Sequence, residues 1–167
     1  SGVVPNLAKG DVLQIELPHG DFYLREESDR PLLFIAGGTG FAPVKSIIDD
    51  IIKRGIERPM TLFWGARVPA GLYAPEVVKK WLRQRPSLRY EPVISAPIDA
   101  MAWSGRRGRV HQAVLETFDS VQDFDVYACG APAMVRAVRT ALEDQRGLPP
   151  TQFFSDSFVA ESPVAVV

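Results

Sequence analysis

The sequence is poor in the residues that make covalent staples, metal cages and membrane spans. It has one cysteine, Cys129, so no intramolecular disulfide can form. Its two histidines, His19 and His111, stand isolated, and no Cys/His cluster has metal-ligand spacing. Each histidine reads as a surface or core residue. The longest apolar runs fall far short of the ~20 residues that span a bilayer. A formal net charge of −1 supplies no global field for nucleic acid or an anionic membrane. A single thiol and no signal-like segment favour a reducing cytoplasm. The chain opens Ser-Gly without a Met, as expected of a fragment or a processed product.

What is present suits an ordinary core. A chain of 167 residues buries roughly 68–70% of its unfolded surface on folding. From residue 31 onward, apolar runs alternate with helical periods. "LLFIA" (32–36) reads as a buried strand, and Val44, Ile47, Ile48, Ile51 and Ile52 then mark one helix face. Gly55 ends that helix. "MTLFWGA" (60–66) is a second strand; Pro75 opens a helix carrying Val77, Val78, Trp81 and Leu82. "LRYEPVI" (88–94) is a third strand, and its Pro92 predicts an edge or an early end.

Residues 95–108 read as irregular, and Val110, Ala113, Val114 and Phe118 as a short helix. "DVYACG" (125–130) is a fourth strand, Pro132 starts a helix that Gly147 stops, and "QFFSDSF" (152–158) is a fifth. This order predicts an α/β fold: a doubly wound parallel five-stranded sheet with helices on both faces. Residues 1–30 differ. "KGDVLQIELPHGDFYL" alternates without a helical period and predicts one or two antiparallel strands. "REESDRP" (25–31) has linker composition.

Two strand-to-helix turns carry the functional signal. "GGTGFAP" gives Gly38 and Gly40 in Rossmann spacing but Pro43 where the third glycine belongs. Proline there suits the N1 position of a helix. No Lys-Ser or Lys-Thr follows, which excludes a Walker loop. The turn reads either as a simple reversal that needs glycine for positive φ, or as backbone N–H groups held close to a pyrophosphate. "YACGAPAMV" repeats the design with Gly130 and Pro132. Both turns follow strands, so both belong to the edge where open α/β sheets bind ligands.

"PLLFIAGGTGFAP", "TLFWGAR" and "VYACGAPAMV", in that order, resemble the pyridine-nucleotide domain of the ferredoxin–NADP reductase superfamily. The nearest likeness is to the reductase components of ring-hydroxylating oxygenases and to CDP-glucoseen reductase-like flavoproteins. The resemblance covers nearly the whole chain. It implies that residues 31–167 are an NAD(P)-binding domain, and that residues 1–30 are the last strands of a flavin-binding β-barrel with its linker. It implies NADH or NADPH as the cofactor, with NADH slightly favoured. FAD and a [2Fe-2S] cluster would lie elsewhere in the full-length protein. The partners implied are a flavin-binding domain of the same protein and an iron–sulfur domain or oxygenase component as electron acceptor. Nucleic acid and membrane are not expected partners.

By motif, the resemblance assigns Gly37, Gly38, Thr39, Gly40, Phe41 and Pro43 to the pyrophosphate and nicotinamide side. Arg67 falls by the adenosine ribose or its phosphate, and Gly65 is a further cofactor-binding residue. Cys129 and Gly130 border the nicotinamide–flavin contact, and Pro132 is a further cofactor-binding residue. Met134 falls on the adenine side, and Phe158 beside the flavin or in the core. Thr39 and Cys129 are the residues expected nearest the reaction, Cys129 through its compact sulfur and not as a nucleophile. Hydride transfer between cofactors needs no general base, only proximity and water exclusion.

Two departures qualify the likeness. The flavin-binding Arg-x-Tyr-Ser strand and a cysteine cluster are absent, so this chain alone is not expected to complete a turnover. The acid that many NADH-using relatives carry just after "GAR" is also missing, with Ala70 and Gly71 in that region and Glu76 the nearest acid. "WSGRRGR" (103–109) reads as a solvated loop, or as a contact for an acidic partner or a cofactor phosphate. The alternatives are a non-catalytic nucleotide-binding or regulatory module, and a carbonyl dehydrogenase. The second lacks any Tyr-x-x-x-Lys or His–carboxylate proton donor.

Overall fold

The pentamer "LLFIA" becomes the centre of a parallel sheet in the computed structural model, which describes residues 8–14, 20–96 and 103–158. In chain order the elements are β1 (Leu32–Gly37), α1 (Phe41–Arg54), β2 (Met60–Ala66), α2 (Pro75–Gln84) and β3 (Arg89–Ile94). There follow β4 (Arg106–Arg107), α3 (Val110–Thr117), β5 (Asp125–Gly130), α4 (Pro132–Arg146) and β6 (Phe153–Ser157). Strand order is β4-β3-β2-β1-β5-β6, and every described pairing is parallel.

β1 is continuously apolar because both its faces are covered. Leu32, Phe34 and Ala36 join α1 and α2 in one core; Leu33 and Ile35 join α3 and α4 in the other. Each amphipathic helix turns its apolar stripe to one of these layers. Glycines in the left-handed conformation cap two of them, Gly55 after α1 and Gly147 after α4, each with φ of 70°.

Among the described residues the sheet has six strands, not the five expected. β4 is two residues long, paired to Val93 and Ile94 of β3, and so short a strand leaves no period to detect. Its shortness leaves β3 an edge up to Pro92, which agrees with the proline there. The expected N-terminal strands fall partly on residues 1–7 and 15–19, outside the described residues; residues 8–14 and 20–30 form turns and extended connections.

Residues 22–30 pack on the body of the fold. The Arg58 guanidinium donates to the carbonyls of Arg30 at 2.7 Å and Arg25 at 2.9 Å, and to buried Asp125 at 2.6 Å. The Arg25 N–H donates to the Tyr127 hydroxyl at 2.9 Å, and Phe22 meets the Tyr127 ring edge-on. A stretch with linker composition is thus anchored at the amino-terminal half of β5.

The chain leaves β1 in one direction for β2, β3 and β4, then returns to its other side for β5 and β6. The order therefore reverses between β1 and β5, and a crevice opens at their carboxyl ends. No helix among the described residues is long and apolar enough to cross a membrane.

Candidate nucleotide-binding groove

Both glycine turns lie at this reversal. After β1 the chain makes a tight turn at Gly38–Gly40 and enters α1 at Phe41. Pro43 is therefore the third residue of α1, not the first as the sequence predicts. The position still suits proline, since N–H groups of a first turn have no intrahelical acceptor. After β5, Pro132 does open α4 at N1.

The glycines have separate physical reasons. Gly38 has φ of +53°, and a Cβ there would meet nothing within 4 Å, so its surface is open. Its carbonyl accepts the Trp64 indole N–H at 3.1 Å, which turns that oxygen toward the core. The planar trans peptide then directs the Thr39 N–H away from the indole. Gly40 is buried, and a Cβ there would lie 2.1 Å from the Cys129 carbonyl oxygen. Gly40 thus lets the two turns touch. Gly37 and Gly65 are register partners at the ends of β1 and β2, giving a floor without side chains. A Cβ on Gly37 would come 2.7 Å from Met134 Cε.

Two cavities meet over this floor, sharing Gly37, Gly38 and Met134 in their walls. The larger, about 500 Å³, continues along Gly65, Arg67, Ser95, Arg109 and His111. The smaller, about 490 Å³, is bounded by Thr39, Gly130, Ala131 and Phe158. Together they make a groove across the carboxyl ends of β3, β2, β1 and β5. Its elongated, two-chambered form suits a ligand with two ring systems joined by a flexible polar bridge.

Three strand ends are laced together beneath the larger chamber. Ser95 N–H donates to the Ala66 carbonyl at 3.0 Å, Ala96 N–H to Arg67 at 2.9 Å, and Gly108 N–H to Ile94 at 2.9 Å. This brings Arg67, Ser95 and Arg109 to one rim. Burial, and then the charge of Arg109, hold the His111 imidazole below its usual pKa. It is neutral near pH 7, so the arginines set the field in this chamber. Pro132 has no N–H and the Met134 and Val135 N–H groups donate to the Ala131 carbonyl, so at the start of α4 only the Ala133 N–H joins the Gly38–Thr39 turn as a backbone donor suited to phosphate oxygens.

The residues expected from sequence divide accordingly. Gly37, Gly38, Thr39, Gly65, Arg67, Gly130, Met134 and Phe158 line the groove. Met134 stands between the chambers and not on one side. Phe158 is exposed beyond β6, its N–H donating to the Gly130 carbonyl at 3.1 Å. Phe41, Pro43, Gly40, Cys129 and Pro132 lie behind the lining. Phe41 stacks on Trp64 with ring centroids 3.7 Å apart.

Cys129 is fully buried among the residues packed under α1. Burial, reinforced by the Asp156 charge, pushes its thiol up to about 12. Only its backbone reaches the turn. Ser95 and His111 were missed by sequence reasoning, while Arg109 falls under the cofactor-phosphate alternative, one of the readings of "WSGRRGR". Their signal was position: Ser95 directly follows a parallel strand, and Arg109 and His111 open the helix after another.

A model of the oxidoreductase NAD-binding domain family matches residues 34–140. The chain is 45% identical over 167 residues to terephthalate 1,2-dioxygenase, reductase component 1, of Comamonas sp., covering 98% of this chain and 48% of that protein. It is 42% identical over 149 residues to the CDP-6-deoxy-L-threo-D-glycero-4-hexulose-3-dehydrase reductase of Yersinia pestis, covering 89% and 44%. The fold is similar to the crystal structure of the Amycolatopsis cytochrome P450 reductase GcoB, with TM-score 0.77, 31% identity, and coverage of 87% of this chain and 43% of that one. The chain spans about half the length of the curated relatives it matches.

Proposed function

The chain belongs to the NAD-binding domain family of oxidoreductases, within the ferredoxin–NADP reductase superfamily, and from this membership we propose that it binds NAD(P)H for a flavin-dependent reductase. The observation that carries the reading is the groove: a side-chain-free floor at the sheet's reversal point, with arginines at one end and an open glycine turn at the other. The residues fit a dinucleotide. Gly38 presents bare backbone where a bulky phosphate bridge needs close approach, and Arg67 with Arg109 supplies the matching charge.

When bound, a dihydronicotinamide supplies a hydride from its C4, for which a flavin on a neighbouring domain is the acceptor. This chain's part is to bind and orient. Thr39, Gly130 and Phe158 bound the chamber proposed for the nicotinamide, and Arg67, Ser95 and Arg109 the one for the adenosine half. Met134 between them sets the spacing. Buried and protonated, Cys129 holds the shape of the turn from beneath and takes no part as a nucleophile.

The named relatives are reductase components, and by analogy the whole protein delivers electrons to an iron–sulfur centre or oxygenase-type partner, in the cytoplasm. Residues 1–30 would join a flavin-binding barrel of the same protein, and the anchoring of residues 22–30 on Tyr127 and Arg58 supports a fixed relation between the two. Titration of the chain with NADH and NADPH, followed by dihydronicotinamide fluorescence, tests the central claim. Saturable binding of at least one is expected, and binding of neither would refute it.

A further inference from the structure

Among the described residues, one sulfur stands in the open part of the groove. Met134 lies in the walls of both chambers. Its Cγ and Cε would fall 3.7 and 2.7 Å from a Cβ on Gly37, and its Cε 2.5 Å from a Cβ on Gly130. The thioether sulfur between those carbons is therefore carried across the bare backbone where the two glycine turns meet. Its neighbours in the walls, Gly37, Gly38, Gly130 and Ala133, have little or no side chain to shield it. Met134 is half-buried here, packed on the α3–α4 core layer from one side and facing the groove from the other.

The other described sulfurs are shut away. Met60 is 4% exposed and Cys129 is fully buried, both in the core layer shared with α1 and α2. A thioether reacts with hydrogen peroxide without first losing a proton, so access decides which methionine is oxidised. The step moves one oxygen atom. The peroxide O–O bond breaks, an S–O bond forms on Sδ, the sulfur is oxidised by two electrons, and the peroxide is reduced to water. The product is polar and bulkier where the thioether was apolar and slim. It brings an acceptor oxygen to a passage that a polyanionic ligand must cross.

We propose that Met134 is a site of modification by hydrogen peroxide, and that its sulfoxide closes the neck of the groove to a dinucleotide. The proposal rests on the nucleotide-binding reading above and adds regulation to that same site. A ligand lying across both chambers covers the thioether, so binding and oxidation oppose each other in both directions. The block is reversible, because methionine sulfoxide is the one stage of sulfur oxidation that dedicated reductases return to the thioether. Leucine matches methionine in volume and carries no sulfur, so it separates the chemistry of this side chain from its packing.

The 167-residue chain is treated with hydrogen peroxide, quenched with catalase, digested and mapped by mass spectrometry for the added oxygen atom. Met134 is expected to oxidise well before Met60, and NAD⁺ or NADP⁺ at about ten times its dissociation constant should slow the reaction about tenfold. Isothermal titration with NAD⁺ and with NADP⁺ should show binding about tenfold or more weaker after treatment, regained on incubation with methionine sulfoxide reductases. Circular dichroism should show the treated chain still folded. Met134→Leu changes the lining and therefore its own starting affinity; the readout is the ratio of affinities before and after peroxide, which should stay near one. Met134 left unoxidised, unchanged affinity once it carries the oxygen, the same loss in Met134→Leu, or unfolding of the treated chain would each overturn the modification site and leave binding by the untreated chain standing. Failure of the untreated chain to bind either nucleotide would overturn both.

Discussion

Gly40 lies directly against the backbone of Cys129: a Cβ added to the glycine would fall 2.1 Å from the Cys129 carbonyl oxygen and 2.4 Å from its carbon. The two glycine turns are therefore one packed unit, and the contact joins residues 89 positions apart. Neither atom can swing away, because both belong to main chain.

Gly40→Ala should consequently act on stability first. Overpacking against backbone belongs at the upper end of its usual range, about 3 kcal/mol. For a chain of this length that corresponds to a Tm lower by roughly 10 °C. Thermal unfolding followed by circular dichroism checks it. An unchanged Tm would mean that the turns do not touch in solution.

Gly38 predicts the opposite pattern. A Cβ there meets nothing within 4 Å, though φ of +53° makes the backbone costly for any other residue. Gly38→Ala should lose only about 1 kcal/mol of stability. Its methyl would nonetheless stand where both chambers meet, so nucleotide affinity should fall by about tenfold or more. Comparing Tm with titrated affinity separates it from Gly40→Ala.

The thiol of Cys129 should be inert in the folded chain. With its pKa pushed up to about 12 and no exposed surface, it should resist iodoacetamide at pH 8 and react once urea unfolds the chain. The sign for stability follows. The thiol's ordinary value is 9.0, so its contribution is complete below pH 9 and is lost as pH rises from about 9 toward about 12. Rapid native-state alkylation would place the sulfur in the groove instead.

Arg58 and Asp125 form a buried pair at 2.6 Å that also ties down the carbonyls of residues 25 and 30. Removing one partner leaves the other charge buried without compensation. Arg58→Met should therefore cost about 3–5 kcal/mol, and adding Asp125→Asn should recover part of it. Urea unfolding of the single and double variants measures this coupling. Additive losses would show that the two side chains do not interact.

The legible part of this protein was local. "LLFIA", the helix stripes and the glycine caps report interactions within about ten residues, and β1, α1, β2 and β5 sit where those patterns place them. The glycine turns were legible too, because a small residue after a parallel strand marks the ligand edge of such a sheet. Their individual duties were not. "GGTG" cannot tell that Gly38 faces open space while Gly40 faces Cys129, since that depends on how closely β5 packs beside β1. Likewise Cys129, adjacent in sequence to the groove, turns its sulfur into the core.

Residues 67, 95 and 109 carry no shared motif. They meet because β2, β3 and the start of α3 are laced at their carboxyl ends by main-chain hydrogen bonds. Periodicity and turn chemistry, which act along the chain, determined the elements and their order. Strand register and close packing, which act across it, decided which side chains line the groove and which remain behind it.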